Sequence, residues 1–515
     1  MTGSKSYYIT TPIYYVNDVP HIGHAYTTLA CDALARFMRL DGVEVKFLTG
    51  TDEHGQKIEK AAAAANMAPL DFATMNSDNF RKLAELMNYS NDDFIRTTEP
   101  RHIQAAQTLW NEMKARGHIY LGSYSGWYSV RDEAFYGEGE LVPGPNGKKI
   151  APTGADVEWV EEPSYFFDLS KWQDKLLAFY EAHPDFVAPA SRYNEVKSFV
   201  KGGLQDLSIS RTSFTWGIPV PGDEKHVMYV WLDALTNYMS AVGYPDVKAA
   251  DFTTFWPADL HMVGKDIVRF HAVYWPAFLM AADLPVPKRV FAHGWWTNEG
   301  QKISKSLGNV IDPIKLVETY GLDAVRYFLL REVPFGNDGD FSHKQMINRI
   351  NADLANSFGN LAQRTLSMIG KNCDGQLPTP GALTAEDEAL LKQADDLLPK
   401  LREHFAHQVF HDALEEIWVV VRAANGYVDT QAPWTLRKTD PARMATVLYV
   451  LAEIVRRLAL LLQPIVPGSA AKLLDQLAVP ESERSFAYFA PAHALKAGTA
   501  LPAPAGVFPR YVEPA

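Results

Sequence analysis

The sequence predicts an α/β domain followed by an all-α domain, on three observations. Up to about residue 349, short runs rich in aromatic and β-branched residues alternate with segments whose apolar residues recur at helical spacing, the order that builds a doubly wound parallel sheet. Between 118 and 228 the texture changes. Gly122, Gly126, Gly137, Gly139, Gly144, Gly147, Pro143, Pro145 and Pro152 punctuate short strand-like pieces there, as in a domain inserted between two halves of the sheet. From Ile350 onward strand signals nearly vanish. Helical spacing runs through Leu361, Leu366 and Ile369, then 391–405, 409–421 and 444–462, which is a helical bundle. The expected boundaries are 1–117 and 229–296 for the two α/β halves, 118–228 for the insertion, 297–349 for a linking segment, and 350–515 for the bundle with its proline-containing tail.

The first run, Tyr7-Tyr8-Ile9-Thr10-Thr11-Pro12-Ile13-Tyr14-Tyr15, has the composition of a buried strand. After a turn with Pro20, His21-Ile22-Gly23-His24 opens a segment in which Leu29, Ala30, Ala33, Leu34, Phe37 and Met38 recur at helical spacing until Asp41-Gly42 stops it. A helix that starts just after a parallel strand presents unpaired backbone N–H groups and the positive end of its dipole, a seat for phosphate. His21 and His24, three apart, share a face of that first turn. Gly23, lacking a Cβ, allows a flat base or ribose to lie against the backbone. The tetrapeptide alone is equally consistent with one histidine capping the turn and the other filling the core.

The segment 43–49 alternates as a second strand, and Gly50-Thr51-Asp52 ends it before a helix expected over 53–65. Asp52 can cap that helix. At the C-terminal edge of a parallel strand it can also hold an ammonium group in the ligand crevice, and the two roles are compatible. The sheet is expected to resume at 226–231 and again at 260–266, followed by a helix through Ile267, Phe270, His271 and Tyr274. The last strand-like run, 289–296, leads into the polar segment 300–309, where Lys302 and Lys305 lie three apart. Such a pair suits a polyphosphate whose charge rises in the transition state. One helix is expected over 312–330.

Composition bounds the function. Hydrophobic content of 47% and charged content of 21% are those of an ordinary globular protein. The net charge of −12 argues against indiscriminate nucleic-acid binding, though not against a local basic surface. Only Cys31 and Cys373 are present, so neither a disulfide framework nor a thiolate metal cluster is supported. No stretch reaches the roughly 18 uninterrupted apolar residues of a membrane span, and a cytoplasmic chain without a membrane partner is expected.

Taken together, His21-Ile22-Gly23-His24 and Lys302-Ile303-Ser304-Lys305-Ser306 match the HIGH and KMSKS motifs of class I aminoacyl-tRNA synthetases, with Ile303 in place of the usual Met. Five further strings appear in order: Pro12-Ile13-Tyr14-Tyr15-Val16-Asn17, Thr49-Gly50-Thr51-Asp52-Glu53-His54-Gly55, Tyr229-Val230-Trp231-Leu232-Asp233-Ala234, Gly264-Lys265-Asp266-Ile267, and Gln431-Ala432-Pro433-Trp434. Over nearly its whole length the chain resembles the methionyl-tRNA synthetase family. The resemblance implies a Rossmann-like nucleotide-binding sheet with a connective insertion, and an anticodon-binding helical bundle.

It also implies a chemistry: L-methionine and ATP, accompanied by Mg2+, give methionyl-adenylate and pyrophosphate, and the methionyl group then passes to the 3′-terminal ribose of tRNA(Met). By this resemblance His21, His24, Lys302 and Lys305 act on the phosphates, Gly23 underlies the nucleoside, and Asp52 holds the amino group. Ile13, Tyr15, Trp231, Leu235, Tyr238, Ile267 and His271 match positions lining the methionine pocket, with Leu235 standing where many relatives have proline. A thioether lacks a strong polar handle, so selection rests on shape and sulfur–aromatic contact. Asn360 and Arg364, four apart on one helix face, and Trp434 match the residues that meet the anticodon by edge reading and stacking. Structurally, Asn360 and Arg364 also fit a plain surface pair, and Trp434 a core anchor.

In related synthetases the insertion often carries a zinc knuckle with Cys-x-x-Cys pairs. Here Tyr128-Ser129-Val130-Arg131-Asp132 offers Ser129 and Asp132, poor replacements for thiolate in a tetrahedral cage, so no zinc is expected. The insertion is also too short for the large hydrolytic editing domains of the isoleucine, leucine and valine enzymes. A monomer is expected because the C-terminal extension that supplies dimer contacts in some relatives is missing. The alternative function is a small-molecule nucleotidyltransferase, which shares the His-x-Gly-His turn but rarely a long helical domain after the lysine loop. A non-enzymatic RNA-binding relative fits less well, because both histidines and both lysines are intact.

Overall fold

The computed structural model describes residues 6–17, 19–303 and 308–513. It divides into two compact units, one made of Ser6–Pro20 and Lys46–His293, the other containing His21–Val45 and the chain from Gly294 onward.

The first unit is built on a parallel sheet that includes β1 (Ser6–Thr10), β2 (Tyr14–Tyr15), β3 (Glu44–Asp52) and β4 (Asp93–Arg96). The strand order runs Val187–Ala188, Val290–His293, Leu260–Gly264, β1, β3, β2, with β4 also pairing β3. Register is set by pairs such as Ile9 with Leu260, Tyr14 with Thr51 and Leu48 with Asp93. Tyr8, Ile9, Phe47, Leu48 and Val263 have no exposed surface, as expected of strands covered on both faces. The expected single strand over 7–15 is in fact two. Pro12 has no N–H to give a ladder, so β1 stops at Thr10 and the chain re-enters on the far side of β3 as β2.

Two further expectations are corrected. The strand Asp223–Met228 lies outside the parallel sheet, antiparallel to Ser210–Arg211 and Pro219–Val220, and Trp231 already belongs to the helix Val230–Ser240. An apolar run states that a segment is buried, not which sheet it joins. Asp52 caps no helix. It is the last residue of β3, and α2 (Gln56–Ala64) begins after Gly55, which has no side chain to cap it.

The insertion is dominated by a long antiparallel pair, Ile119–Ser129 against Glu158–Phe167, flanked by Ala134–Tyr136 and Leu207–Ser208.

The second unit holds α1 (Ile22–Leu40), a three-stranded sheet of Trp296–Asn298, Gln301–Lys302 and Gly339–Phe341, and the helices that run to Gln476. The helix expected over 312–330 is split at Gly321, whose φ of +87° ends Pro313–Tyr320 before Leu322–Arg331 begins. One face of α1 is anchored within this unit by Phe37, stacked on Phe405 at 4.1 Å, and by Asp41, paired with Arg402 at 2.7 Å. Among the described residues no helix is long and apolar enough to cross a membrane.

Candidate active site

In the second unit, the start of α1 is closed by its own histidines. His21 is the N-cap residue, and its Nδ1 accepts the Gly23 N–H at 3.1 Å, while His24 Nδ1 accepts the His21 N–H at 3.1 Å. With both Nδ1 atoms used as acceptors, each neutral ring carries its proton on Nε2, as a donor. The rings lie 3.9 Å apart at 33°. Gly23 is required by this arrangement, because a Cβ there would sit 2.9 Å from His21 Cε1. Burial, and then the neighbouring His21, hold the His24 pKa well below the ordinary imidazole value, so the ring is neutral at pH 7. His21 thus caps the helix, as one of the two histidines was expected to, and His24 closes the capping box; each ring's tautomer is set by the backbone N–H that its Nδ1 accepts, from Gly23 for His21 and from His21 for His24.

The segment after the lysine motif reaches the same helix end. Ile22 donates its N–H to Ile311 O at 3.1 Å, and Asn309 is tied to Asn298 by Asn298 Nδ2 donating to its carbonyl at 2.8 Å. Asn309 Nδ2 in turn donates to Lys302 O at 3.1 Å, and the Lys302 side chain is exposed on its short strand. Lys305 lies outside the described residues.

In the first unit, the residues matched to a methionine pocket gather around one apolar cluster. Leu235 and Tyr238 belong to it, and Ile13, Tyr15, Trp231 and Ile267 pack against it. Trp231 stacks on Phe270 at 3.7 Å and meets His271 edge-on at 6.3 Å. His271 Nδ1 faces Ile267 O at 3.0 Å, so it carries the proton, and Nε2 accepts the Tyr238 hydroxyl at 2.6 Å. His261 is similarly fixed between Trp275 Nε1, which donates to its Nε2 at 3.3 Å, and Thr10 Oγ1 at 2.7 Å from its Nδ1. Burial lowers the His271 pKa to about 4, so the pocket's imidazole is uncharged. The two imidazoles, the Tyr238 hydroxyl and the Trp275 indole thus satisfy their polar atoms within an uncharged, largely aromatic wall.

Asp52 behaves differently. Its Oδ1 is buried without a hydrogen-bond partner, and Trp231 Nε1 is likewise unpartnered. Burial, then the negative charges of Asp233, Glu133 and Glu53, push the Asp52 carboxyl well above the usual carboxylate range. A bound cation would oppose that shift.

Asp233 and His54 stand in the quoted motif strings without an assigned role, and His102 stands outside them. Asp233 accepts from His54 Nδ1 at 2.7 Å and from His102 Nε2 at 2.7 Å, and His102 Nδ1 meets Ser240 Oγ at 3.0 Å. Burial alone would raise the Asp233 pKa, but the two imidazoles overrule it and hold the carboxyl at about 2. The signal was the position of His54 two residues after Asp52; Asp233 lies 179 residues from His54 and 131 from His102, and no spacing reveals the pairing.

At the insertion's knuckle, Ser129 Oγ accepts the Asp132 N–H at 3.2 Å, and the Asp132 carboxylate takes the Tyr136 hydroxyl at 2.9 Å, the Thr153 hydroxyl and Arg131 Nε. In the bundle, Asn360 opens the helix Asn360–Asn372 and is exposed, and the Arg364 guanidinium lies 5.3 Å from the Trp434 ring centre and 3.4 Å from Asp429. Trp434 is 44% exposed, which does not fit a core anchor.

Two family models match the chain: class I tRNA synthetases (M) over residues 7–366, and the anticodon-binding domain of methionyl tRNA ligase over 377–513. The methionine–tRNA ligase of Brucella suis is 60% identical over 509 residues, covering 99% of this chain and 98% of that protein, and that of Mesorhizobium japonicum is 61% identical over the same length. Among solved structures, Mycobacterium tuberculosis methionyl-tRNA synthetase in complex with methionyl-adenylate superposes with a TM-score of 0.96 at 56% identity, covering 98% of this chain and all of that one. The turn of paired histidines, the parallel sheet and the helical domain thus carry matching sequence from end to end, and the chain belongs to the methionyl-tRNA synthetase family of class I synthetases.

Proposed function

We propose that this chain carries out the ligase reaction with its histidine turn and lysine segment acting on the phosphates and its buried carboxylate and apolar pocket acting on methionine. The reaction is that of a methionine–tRNA ligase: methionine and ATP form methionyl-adenylate and pyrophosphate, and the methionyl group is then transferred to tRNA. The nucleophile is the methionine carboxylate. Its oxygen forms a bond to the α-phosphorus as the bond to the pyrophosphate oxygen breaks, so the protein needs only to position the reactants and spread charge.

The observation that carries the assignment is the tautomer pair of His21 and His24. Two Nε2 donors on neutral rings at a helix N-terminus can bind phosphate oxygens in ground and transition state alike. Lys302 and Lys305 neutralise the charge that develops on the leaving pyrophosphate, and Gly23 leaves room for the nucleoside. Mg2+ accompanies ATP, held by the phosphates. Asp52 binds the α-ammonium group, and Ile13, Tyr15, Trp231, Leu235, Tyr238, Ile267 and His271 enclose the side chain. Asn360, Arg364 and Trp434 read and stack the anticodon of tRNA(Met). The domains proposed are those of the sequence boundaries, 1–117 with 229–296, 118–228, 297–349 and 350–515.

No zinc is proposed at the knuckle. Its two side chains at the ligand positions, Ser129 and Asp132, are engaged with one another's loop and with Tyr136 and Thr153, and neither is a soft donor. One equivalent of zinc in purified protein by elemental analysis would contradict this. A cytoplasmic monomer is the proposed form, with the tRNA supplied by translation. Sedimentation velocity checks the assembly.

The family match across both the α/β portion and the helical domain sets aside the small-molecule nucleotidyltransferase. The test of the site is pyrophosphate exchange without tRNA. Methionine alone among the amino acids should support it efficiently, and Lys305→Ala should lower it by about a hundredfold, the scale of one electrostatic donor, with methionine binding retained. Unchanged exchange in that variant removes the lysine from the mechanism.

A further inference from the structure

Glu133 belongs to the insertion, between the strands Ile119–Ser129 and Ala134–Tyr136, in a left-handed backbone conformation with φ +49°. Its side chain is turned inward and the residue is 6% exposed. A buried carboxylate needs donors, and this one has three from separate parts of the first unit. Its Oε1 accepts the Tyr15 hydroxyl at 2.9 Å and the Lys57 N–H at 3.2 Å, and its Oε2 accepts the Tyr128 hydroxyl at 2.5 Å.

Each contact constrains a different element. The Lys57 N–H is in the first turn of α2, whose N-cap, Gly55, offers no side chain. Glu133 therefore caps that helix from 76 residues away, and its charge complements the helix dipole. Gly55 is required by the closeness of this approach: a Cβ at that position would lie 2.6 Å from the Tyr15 hydroxyl and 3.0 Å from Glu133 Oε1. Tyr15 has one hydroxyl proton and two acceptors, Glu133 and His54 O at 3.0 Å, and the charged acceptor is the stronger. Burial, and then Glu133 itself, raise the Tyr15 pKa well above the phenol range, so the hydroxyl stays protonated and remains a donor. Lys57 Nζ, 5.5 Å from the centre of the Tyr15 ring, faces the same side chain.

We propose that Glu133 is a positioning residue for methionine binding, one that locks the Tyr15 ring and the β3-to-α2 connection behind Asp52 into a single arrangement from within the insertion. It touches no reacting atom. The inference rests on the assignment of Tyr15 and Asp52 to the amino-acid site, and it gives the insertion a part in amino-acid selection beyond its own folding.

The test is steady-state pyrophosphate exchange by the full-length chain with Glu133→Gln, Tyr15→Phe, the double variant and Tyr15→Ala. Glutamine keeps one acceptor oxygen for the α2 N–H, and Tyr15→Phe leaves Glu133 in place, so at least one variant probes the contact without disturbing the helix cap. Thermal melts confirm that the variants are folded at the assay temperature. Expected are a rise of about tenfold in the methionine KM for each of Glu133→Gln and Tyr15→Phe, the loss of one charge-assisted hydrogen bond, with the ATP KM within about twofold of the parent. The double variant should be no worse than the more impaired single, because Glu133→Gln takes the charge from the same hydrogen bond that Tyr15→Phe removes. A parental methionine KM in Glu133→Gln, methionine and ATP KM rising together, or effects that multiply in the double variant would each overturn the proposal. The underlying assignment fails separately: it falls if Tyr15→Ala leaves the methionine KM unchanged, whereas a raised KM in Tyr15→Ala with a parental value in Glu133→Gln removes only the role of Glu133.

Discussion

Asp32 and Arg326 form a 2.7 Å ion pair in which neither side chain reaches solvent. Asp32 is on the buried face of α1, and Arg326 also donates to the carbonyls of Pro464 and Ile465 at 2.9 Å. The helix that bears the histidine turn is thus tied, within its unit, to the polypeptide far downstream. Removing Arg326 takes a buried donor from Asp32, which keeps Arg36 at 2.8 Å, and from the carbonyls of Pro464 and Ile465, a loss that exceeds what the pair itself contributes. Arg326→Ala should lose about 3–5 kcal/mol in urea unfolding followed by far-ultraviolet circular dichroism. Replacing both residues with apolar ones of similar volume should recover most of that loss.

The histidine turn makes a sharper prediction. An alanine Cβ at position 23 would sit 2.9 Å from His21 Cε1, so the stacked pair must separate. Gly23→Ala should therefore lower methionine-dependent pyrophosphate exchange by about a hundredfold. The midpoint of thermal unfolding should move little, because the helix behind the turn is untouched.

Stability should fall on mild acidification. The ordinary imidazole value is 6.5 and burial lowers that of His271 to about 4, so as pH falls the unfolded chain takes up this proton first. The contribution is fully present above pH 6.5 and is lost progressively from 6.5 down to 4, to a total of about 3 kcal/mol. His24 and His261, also lowered by burial, act in the same direction. Asp233, held at about 2 by its two imidazoles, adds a later loss as pH falls from 3.8 to 2. The raised Asp52 carboxyl acts in the opposite sense, because the folded chain keeps that proton to higher pH than the unfolded one. The check is therefore a difference: unfolding free energies measured across pH 4 to 7 should rise less steeply with pH in His271→Gln than in the parent.

Trp434 should separate the two half-reactions. Its ring is exposed and carries the Arg364 guanidinium over one face. Trp434→Ala should leave pyrophosphate exchange at the parental rate and lower the efficiency of tRNA charging by about ten- to a hundredfold, the range for one stacked base. A parallel drop in both reactions would mark Trp434 as a folding residue.

Local pattern is enough for the α/β-then-α order, for α1 with its histidine turn, and for β3 ending at Asp52, because periodicity and stop signals are properties of neighbouring residues. Motif strings likewise single out His21 and His24, which the structure pairs at the start of α1. Local pattern does not say that 226–231 leaves the parallel sheet, since an apolar run is equally content in any sheet, nor that Asp52 keeps an unpartnered oxygen and caps nothing. It is silent about Asp233 between His54 and His102, and about Glu133 on Tyr15 and α2, because those contacts join residues more than seventy positions apart and exist only where the folded backbone brings buried charges together. Chain order determines which elements form; desolvation of charge inside the packed unit decides which side chains must find one another.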